Sequence, residues 1–494
     1  MTQQHSLPLL PSRLNRGPLV KLATNAFAIL AGDMTTRIAS FVLYALVARH
    51  LGAHEFGQMS LGLTYFQSFQ FLAVAGIQAL VTREVARDRS QTGRYLVNAN
   101  VAVAGFSLLS VTLLVAVAQL LHYTPDTTAV ILWLAVGLLP YAISTIYDAV
   151  FQAWEQMQHI AYANLVVNLL RIGGCWWLLT RGYGLMALVT LLLAAHIVTV
   201  VVKWWLARRY LTDTHAAIDL PFCWQLCRNT LTFLGIDGLV AIMSAFQVIL
   251  LSKFANEREV GLFNAASQLL VPVSLVFQSA AISIFPAMCR GYQQGAQRLG
   301  VMTERLLELL LLIVVPSAVA LCVFADDLLQ LLYGKAEFAA AAPALQILVG
   351  AMVLRVFTQV LGRVLVASLQ EKITLRILLV DTLASVALGF LLIPTWGLLG
   401  AAVSTVLVRL LDVALHYVPV TRSLPQRLAL EKGLWLPLLA TGGALLYWLT
   451  PLQQPPLLAL LIGGLLYGLL AGVIALVSLG SVARLKERYR VLTG

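Results

Sequence analysis

The sequence predicts an all-α integral membrane protein with about fourteen transmembrane helices. They form two pseudo-symmetric six-helix bundles around a central cavity, plus a C-terminal helix pair. Three observations lead there. The 494 residues are 60% hydrophobic and 11% charged, with a mean hydropathy of +0.85, whereas a soluble domain is about 25% charged. Apolar runs of the roughly 20 residues that a spanning helix needs follow one another along the whole chain. And one charged link is written twice. "VARHLGAHEFGQMSLG" (47–62) and "LLSKFANEREVGLFNAAS" (250–267) each leave an apolar run through a basic residue, Arg49 or Lys253, and re-enter through acid–apolar–Gly, Glu55-Phe56-Gly57 or Glu259-Val260-Gly261.

The hydropathy criterion places spans at 20–48, 57–80, 95–121, 128–152, 159–180, 184–206, 228–252, 261–288, 302–325, 344–368, 373–393, 397–420, 434–450 and 457–479. A basic, proline-bearing tail, 1–19, leads into the first span, which exceeds a signal-peptide core of about 7–15 residues and reads as an anchor. The first bundle is expected at 20–210, a cytoplasmic basic linker at 211–227, the second bundle at 228–420, the extra pair at 421–479 and a basic tail at 480–494.

The net charge of +11 is unevenly spread. Alternate loops collect Arg83, Arg87, Arg89 and Arg94, then Arg208, Arg209 and Arg228, then Arg290, Arg298 and Arg305, then Arg422, Arg427 and Lys432, then Arg484, Lys486, Arg488 and Arg490. The opposite loops carry Arg49, Arg181, Lys253, Arg258 and Lys335. By the positive-inside rule both termini are cytoplasmic and the protein is a multi-pass protein of the cytoplasmic (inner) membrane. This distribution argues for anionic lipids at the cytoplasmic face and against nucleic acid as partner. The five cysteines, Cys175, Cys223, Cys227, Cys289 and Cys322, lie in or beside spans and suggest neither a disulfide nor a zinc set. His50, His54 and Glu55 are interrupted by Gly52, so no metal is expected there, and with no P-loop no cofactor is expected either.

Gly261 lies 204 residues after Gly57, and the same offset sets Asp237 under Asp33. A second echo, "TRGYGLMAL" (180–188) and "IPTWGLLGA" (393–401), matches Gly184 with Gly397. An even number of spans per half gives parallel repeats, whose interface is where transport substrates usually sit. The last two spans have no counterpart; "GLLYGLLAG" (464–472) suggests helix contact through small residues.

Polar side chains inside spans cost about 2.5–3.5 kcal/mol each when charged, and here they recur at helical spacing. Asp33, Arg37, Ser40 and Tyr44 share one face; so do Asn164, Asn168 and Arg171; Arg355, Gln359 and Arg363; and Thr405, Arg409, Asp412 and His416. Lipid would not tolerate four such stripes, so they predict a shared wet cavity. Asp33 with Arg37, and Arg409 with Asp412, can neutralise one another along a helix. Arg363 can snorkel from a helix end, whereas Arg171 and Arg355 are central and have no acid within four residues. A guanidinium fork suits phosphate or carboxylate oxygens. Arg37, Arg171, Arg355, Arg363, Arg409, Asn168 and Gln359 are therefore candidate substrate contacts. Asp33, Asp237 and Asp412 are candidates for holding a coupling cation, H+ or Na+, or for pairing with arginine. No catalytic residue is expected.

The stretches "LVARHLGAHEFGQMSL", "GIQALVTREVARD", "VGLFNAASQLLVPVSLVFQSAAISIFPAM" and "LLIPTWGLLGAAVSTVL", with the weaker "LYGKAEFAAAAPALQIL", resemble the oligosaccharide flippase (polysaccharide biosynthesis transporter) family of the multidrug/oligosaccharidyl-lipid/polysaccharide exporter superfamily. The resemblance covers nearly the whole chain and is silent on substrate. It implies a V-shaped cavity, alternating access, and carriage of a lipid-linked oligosaccharide, often on undecaprenyl diphosphate, rather than an enzymatic reaction. By residue type alone it implies a cationic cavity at Arg37, Arg171, Arg355, Arg363 and Arg409. A cation-coupled multidrug or small-molecule exporter of the same superfamily is the alternative that Asp33 and Asp237 favour. A membrane-embedded glycosyltransferase or ligase is a third reading, which would call for an external catalytic domain that the short loops do not offer.

Overall fold

Helices account for the whole of the regular structure among the described residues. The computed structural model describes residues 18–211, 216–424, 430–449 and 455–479. Most of the tail 1–19, part of the linker 211–227, and the tail 480–494 lie outside the described residues. The α-helices are α1 (Pro18–Leu51), α2 (Ala53–Val74), α3 (Ile77–Arg87), α4 (Thr92–Leu120), α5 (Pro125–Val136), α6 (Leu138–Ala153), α7 (Met157–Thr180), α8 (Leu185–Tyr210), α9 (Leu220–Phe254), α10 (Glu257–Leu269), α11 (Val271–Gln293), α12 (Ala296–Val323), α13 (Ala325–Tyr333), α14 (Ala342–Ala367), α15 (Glu371–Ser423), α16 (Leu430–Trp448) and α17 (Pro456–Leu479).

Among the described residues, fourteen segments of membrane length emerge when α5 is joined to α6, α10 to α11, and α15 is divided at Gly397, leaving α3 and α13 as short helices. Seven runs among the described residues are long and apolar enough to cross a membrane by length and composition. The outward faces carry exposed Leu108, Leu120, Leu169, Leu383, Leu391 and Leu446, which only a lipid surround tolerates in such density. The protein is a multi-pass membrane protein.

Local chemistry explains the breaks. After α2, Ala75 and Gly76 are both left-handed (φ 51° and 72°), so the apolar run expected to reach 80 stops at Val74 and α3 turns aside. The seventh run starts earlier than hydropathy suggests, at Leu220, because Asp219 accepts from the Phe222 amide (3.0 Å) and Pro221 occupies the first turn. Asp219 also accepts from Arg94 (3.0 Å), and its own amide donates to Asn98 (2.7 Å), so the start of α9 stays tied to α4. The Phe222 amide, then Arg94, hold the Asp219 carboxyl below the usual carboxylate range.

The duplicated link closes one end of the molecule. There α2 and α10 cross with their backbones in contact: a Cβ on Gly57 would lie 1.7 Å from the Glu257 carbonyl oxygen, and one on Gly261 would lie 2.0 Å from that of Ala53. No residue with a side chain fits either position in this arrangement. Hydrogen bonds join the halves around this crossing, from Thr127 to Glu257 (3.1 Å), from the Ala53 amide to Glu337 (3.0 Å) and from Lys335 to the His50 carbonyl (3.0 Å). Glu259, the acid of the second link, accepts from the Leu398 amide (2.7 Å) beside the turn at Gly397. In the first half, a buried Lys203–Asp148 pair (2.7 Å) joins α8 to α6.

The additional pair, α16 and α17, packs on α12. Pro316 removes the amide that would bond the Leu312 carbonyl, and the Tyr467 hydroxyl donates to that carbonyl instead (2.6 Å). Tyr467→Phe should therefore cost about 1–2 kcal/mol by stranding the carbonyl, read as a lower unfolding midpoint of the purified protein; an unchanged midpoint would refute this role. Contrary to expectation, a Cβ placed on Gly464, Gly468 or Gly472 would meet no atom of another element within 4 Å among the described residues. Contact runs instead through Gly463, which faces Trp448, and Gly443, which faces Leu470, because the 464–468–472 stripe lies on the outer side of α17.

Candidate functional site: a cationic cavity in the second half

The site is built by α14 and the two limbs of α15. On α14 the spacing Arg355, Gln359, Arg363 places all three on one face, with Thr358 and Gly362 between them. Gly397 (φ 51°) folds α15 back on itself, and a Cβ on Gly400 would lie 2.2 Å from the Leu392 carbonyl. The returning limb brings Thr405, Arg409, Asp412 and His416 opposite a stripe on the outgoing limb, Thr374, Asp381 and Ser385. Asp381 stands 16 residues before Gly397 and Asp412 stands 15 after it, so antiparallel limbs set the two acids at the same depth.

These residues, with Gln247 of α9 and Phe285 of α11, line a cavity of about 650 Å³. A second cavity of about 410 Å³ adjoins it through Gln247, Arg355, Thr405 and Arg409, and adds Ser267, Ser274 and Gln278 together with Arg37 of α1. Among the described residues, Arg37 is the first half's contribution. The N-terminus of α14 lies beside the α2–α10 crossing, because Glu337 reaches Ala53 just upstream of it. At 1.5 Å per residue, Arg355 is roughly 20 Å and Arg363 roughly 32 Å along α14 from that end. The wet space therefore extends away from the closed seam.

Ion pairing among the described residues of the site centres on Asp412. Arg409 donates to Asp412 (2.9 Å), and His416 Nδ1 lies 2.9 Å from the same carboxyl and 3.0 Å from the Asp412 carbonyl. Arg355 lies within electrostatic reach of Arg409, Arg37 and Asp412, so three guanidinium groups cluster there among the described residues. The Arg363 guanidinium sits 5.4 Å from the Phe285 ring centre, and its buried Nε meets no hydrogen-bond partner among the described residues. Thr405 donates to Gln247 (2.8 Å), which donates to Ser404 (3.3 Å), fixing α9 against α15. An array of guanidinium groups with amides and hydroxyls around it is suited to an anionic head flanked by hydroxyl groups.

The sequence-predicted residues divide into two sets. Arg355, Gln359, Arg363, Arg409 and Asp412 share the larger cavity, and Arg37 joins Arg355 and Arg409 at the smaller. Asn168 and Arg171 line neither. Asn168 donates to Thr36 (3.0 Å) across the α7–α1 contact, and Arg171 lies beside Tyr44 and Cys175. Asp33 and Asp237 fall in α1 and α9, and their side chains lie outside the described residues. Asp381 escaped the sequence reading, as did Gln247, Thr374 and Ser385. The signal was there for Asp381: an acid in an apolar run, aligned with Thr374 and Ser385, and one residue farther from the turn glycine than Asp412.

The comparisons agree with this architecture. The polysaccharide biosynthesis protein family matches residues 22–292, and the lipid II flippase MurJ family matches residues 227–462. The chain is 23% identical over 401 residues to the probable low-salt glycan biosynthesis flippase Agl15 of Haloferax volcanii, covering 80% of this chain and 82% of that one. It is also 23% identical over 444 residues to stage V sporulation protein B of Bacillus subtilis, covering 82% and 84%. Among solved structures, the lipid II flippase MurJ in an inward closed conformation superposes with a TM-score of 0.73 at 14% identity, over 92% of this chain and 98% of that one. An inward-facing multidrug resistance MATE family transporter of the MOP superfamily gives 0.65 at 14% identity, over 80% and 98%. The first family match covers 271 of 494 residues, and the chain belongs to the polysaccharide biosynthesis protein family.

Proposed function

We propose that this protein is a transporter, not an enzyme, that carries a lipid-linked oligosaccharide on a polyprenyl diphosphate across the cytoplasmic membrane by alternating access. One observation carries the reading: Arg355 and Arg409 line both adjoining cavities, with Arg37 of the opposite half reaching the same space. A diphosphate and its sugars cannot cross hydrocarbon without partners for their charge and hydroxyls. Guanidinium groups, glutamines and hydroxyls replace that hydration, while the polyprenyl chain stays in lipid between the halves. The names of Agl15 and MurJ, both flippases, support a lipid-linked cargo.

In this reading the α2–α10 seam is the external gate, the cavity faces the cytoplasm, and both termini are cytoplasmic. Arg208 and Arg209 stack on Trp204 and Trp205, and Arg89 and Arg94 on Trp154 and Phe222, at 4.2–5.4 Å. Arginines held on aromatic faces at one membrane edge favour anionic lipid headgroups there. The purified protein in liposomes should move a labelled undecaprenyl-diphosphate oligosaccharide between leaflets. Labelled lipid that stays in its original leaflet, with folded protein present, would reject the proposal.

A further inference from the structure

Glu259 sits where the seam meets the cavity wall. It lies in the first turn of α10, its amide donating to Asn256 Oδ1 (2.9 Å), two residues before the Gly261 that meets the Ala53 carbonyl. Its Oε2 accepts from the Leu398 amide (2.7 Å), the first amide of the returning limb of α15, which has no partner within its own limb. A carboxylate there makes a charge-assisted bond and faces the positive end of the limb. Gly397 permits the approach, because a Cβ on it would lie 2.5 Å from the same Oε2. Arg409 follows Leu398 by 11 residues, about 16 Å of continuous helix. Helix of that length tilts as a rod, so a pull on its first turn displaces Arg409 and, beyond it, Asp412 and His416. The first half lacks this bond among the described residues. Glu55 holds the equivalent place before Gly57, yet its buried Oε2 meets no hydrogen-bond partner there. Gly184, the counterpart of Gly397, is extended (φ −81°, ψ −171°), and a Cβ on it would meet nothing within 4 Å. The link is written twice, but its acid holds an elbow in the half that carries the larger cavity.

We infer that Glu259 is a positioning residue, a strut that transmits opening of the α2–α10 seam to the returning limb of α15 and so resets Arg409 over the cavity. The inference rests on the carrier reading for its role in transport, whereas the strut itself is testable without cargo. Glu259 lines neither cavity, so it acts through the limb and not on the cargo. When α2 and α10 part, α10 takes Glu259 with it, and the carboxylate draws the Leu398 end of the limb. The pivot is Gly397, whose backbone angles (φ 51°, ψ −125°) break the helix between the two limbs. The angle between the limbs then changes, and the outgoing limb and the returning limb no longer present their side chains to each other in the same register. Linkage makes the effect reciprocal: a cargo that prefers one position of Arg409 favours the seam state that goes with it.

Two measurements on the full-length protein test this. Spin labels on Leu383→Cys and Leu410→Cys, exposed positions 14 residues before and 13 after Gly397, report the angle between the limbs in a protein otherwise free of cysteine. Opening the seam with Gly57→Ala and Gly261→Ala should shift the distance between the labels. Adding Glu259→Ala should abolish that shift, and adding Glu55→Ala should preserve it. A shift that survives loss of Glu259, or no shift with Glu259 present, overturns the inference. The second measurement needs no seam variant and decides the matter even if the added methyls unfold the protein. At saturating lipid-linked oligosaccharide in liposomes, Glu259→Ala should slow leaflet transfer about tenfold, the share of one charge-assisted hydrogen bond. Half-saturation by cargo should stay within about twofold of wild type, because binding groups are untouched. Glu259→Gln, which keeps an acceptor oxygen for the Leu398 amide, should recover most of the rate, and Glu55→Ala should transfer like wild type. An unchanged rate in Glu259→Ala, equal losses in the two alanine variants, or a loss confined to cargo affinity refutes the strut. If wild type moves no cargo while the label shift follows Glu259, the carrier reading falls and the strut alone stands.

Discussion

Arg355→Ala and Arg409→Ala are each expected to slow leaflet transfer of the lipid-linked oligosaccharide by about a hundredfold or more, while Arg171→Ala leaves transfer within a few-fold of wild type. Arg355 and Arg409 line both cavities, so a diphosphate cannot occupy either space without meeting them. Truncating one side of a buried, hydrogen-bonded charge pair costs about 2–5 kcal/mol, and every 1.36 kcal/mol off or on a barrier is about tenfold in rate. Arg171 lies on α7, which packs along α1, within electrostatic reach of Tyr44, and lines neither cavity. Its loss should appear in the unfolding midpoint instead. Transfer rates in liposomes, normalised to inserted protein, separate these outcomes. Equal losses for all three variants would mean that the cavity does not define the path.

The second large effect is expected at the seam. Gly57→Ala with Gly261→Ala should drive the protein out of the closed-seam state, because each new methyl would sit within 2.0 Å of a backbone oxygen on the opposite helix. Overpacking of this kind costs about 1–3 kcal/mol per site. The added atom meets main chain, which has no rotamer by which to escape. Two such costs together shift a two-state equilibrium by roughly two orders of magnitude or more. A reporter cysteine at Ser267, which lines the smaller cavity, in a protein otherwise free of cysteine, should become reactive to an impermeant reagent from the seam side in the double variant. Transfer should fall, because a carrier that cannot close one gate cannot complete its cycle. Unaltered labelling would show that the two glycines are not what holds the seam.

The fold was open to sequence reading wherever one helix carries the message. Hydropathy marks apolar segments regardless of their neighbours, so the membrane class and about fourteen segments follow from composition and run length. Repeated punctuation likewise shows in one dimension: Gly57 and Gly261 share a template because two backbones must pass at the same crossing. Stripes such as Arg355, Gln359 and Arg363 are legible because helical spacing fixes which residues share a face. What one helix cannot reveal is the identity of its opposite number. Arg171 and Asn168 have the same spacing as the lining residues, yet α7 packs them toward α1. Asp381 reads as an isolated acid until the turn at Gly397 lays one limb of α15 along the other.

By itself, then, the chain's chemistry determined a lipid-solvated helical protein of two related halves with costly polar faces that must turn inward. Only the tertiary structure decided that the cavity belongs mainly to the second half, that Arg37 is the described first-half candidate that lines it, and that Asp381 and Asp412 line one wall together. The physical reason is the range of each effect. Burial and helical phase are set within a few turns of chain, whereas a site between helices depends on crossing angles and kinks that arise from packing many segments at once.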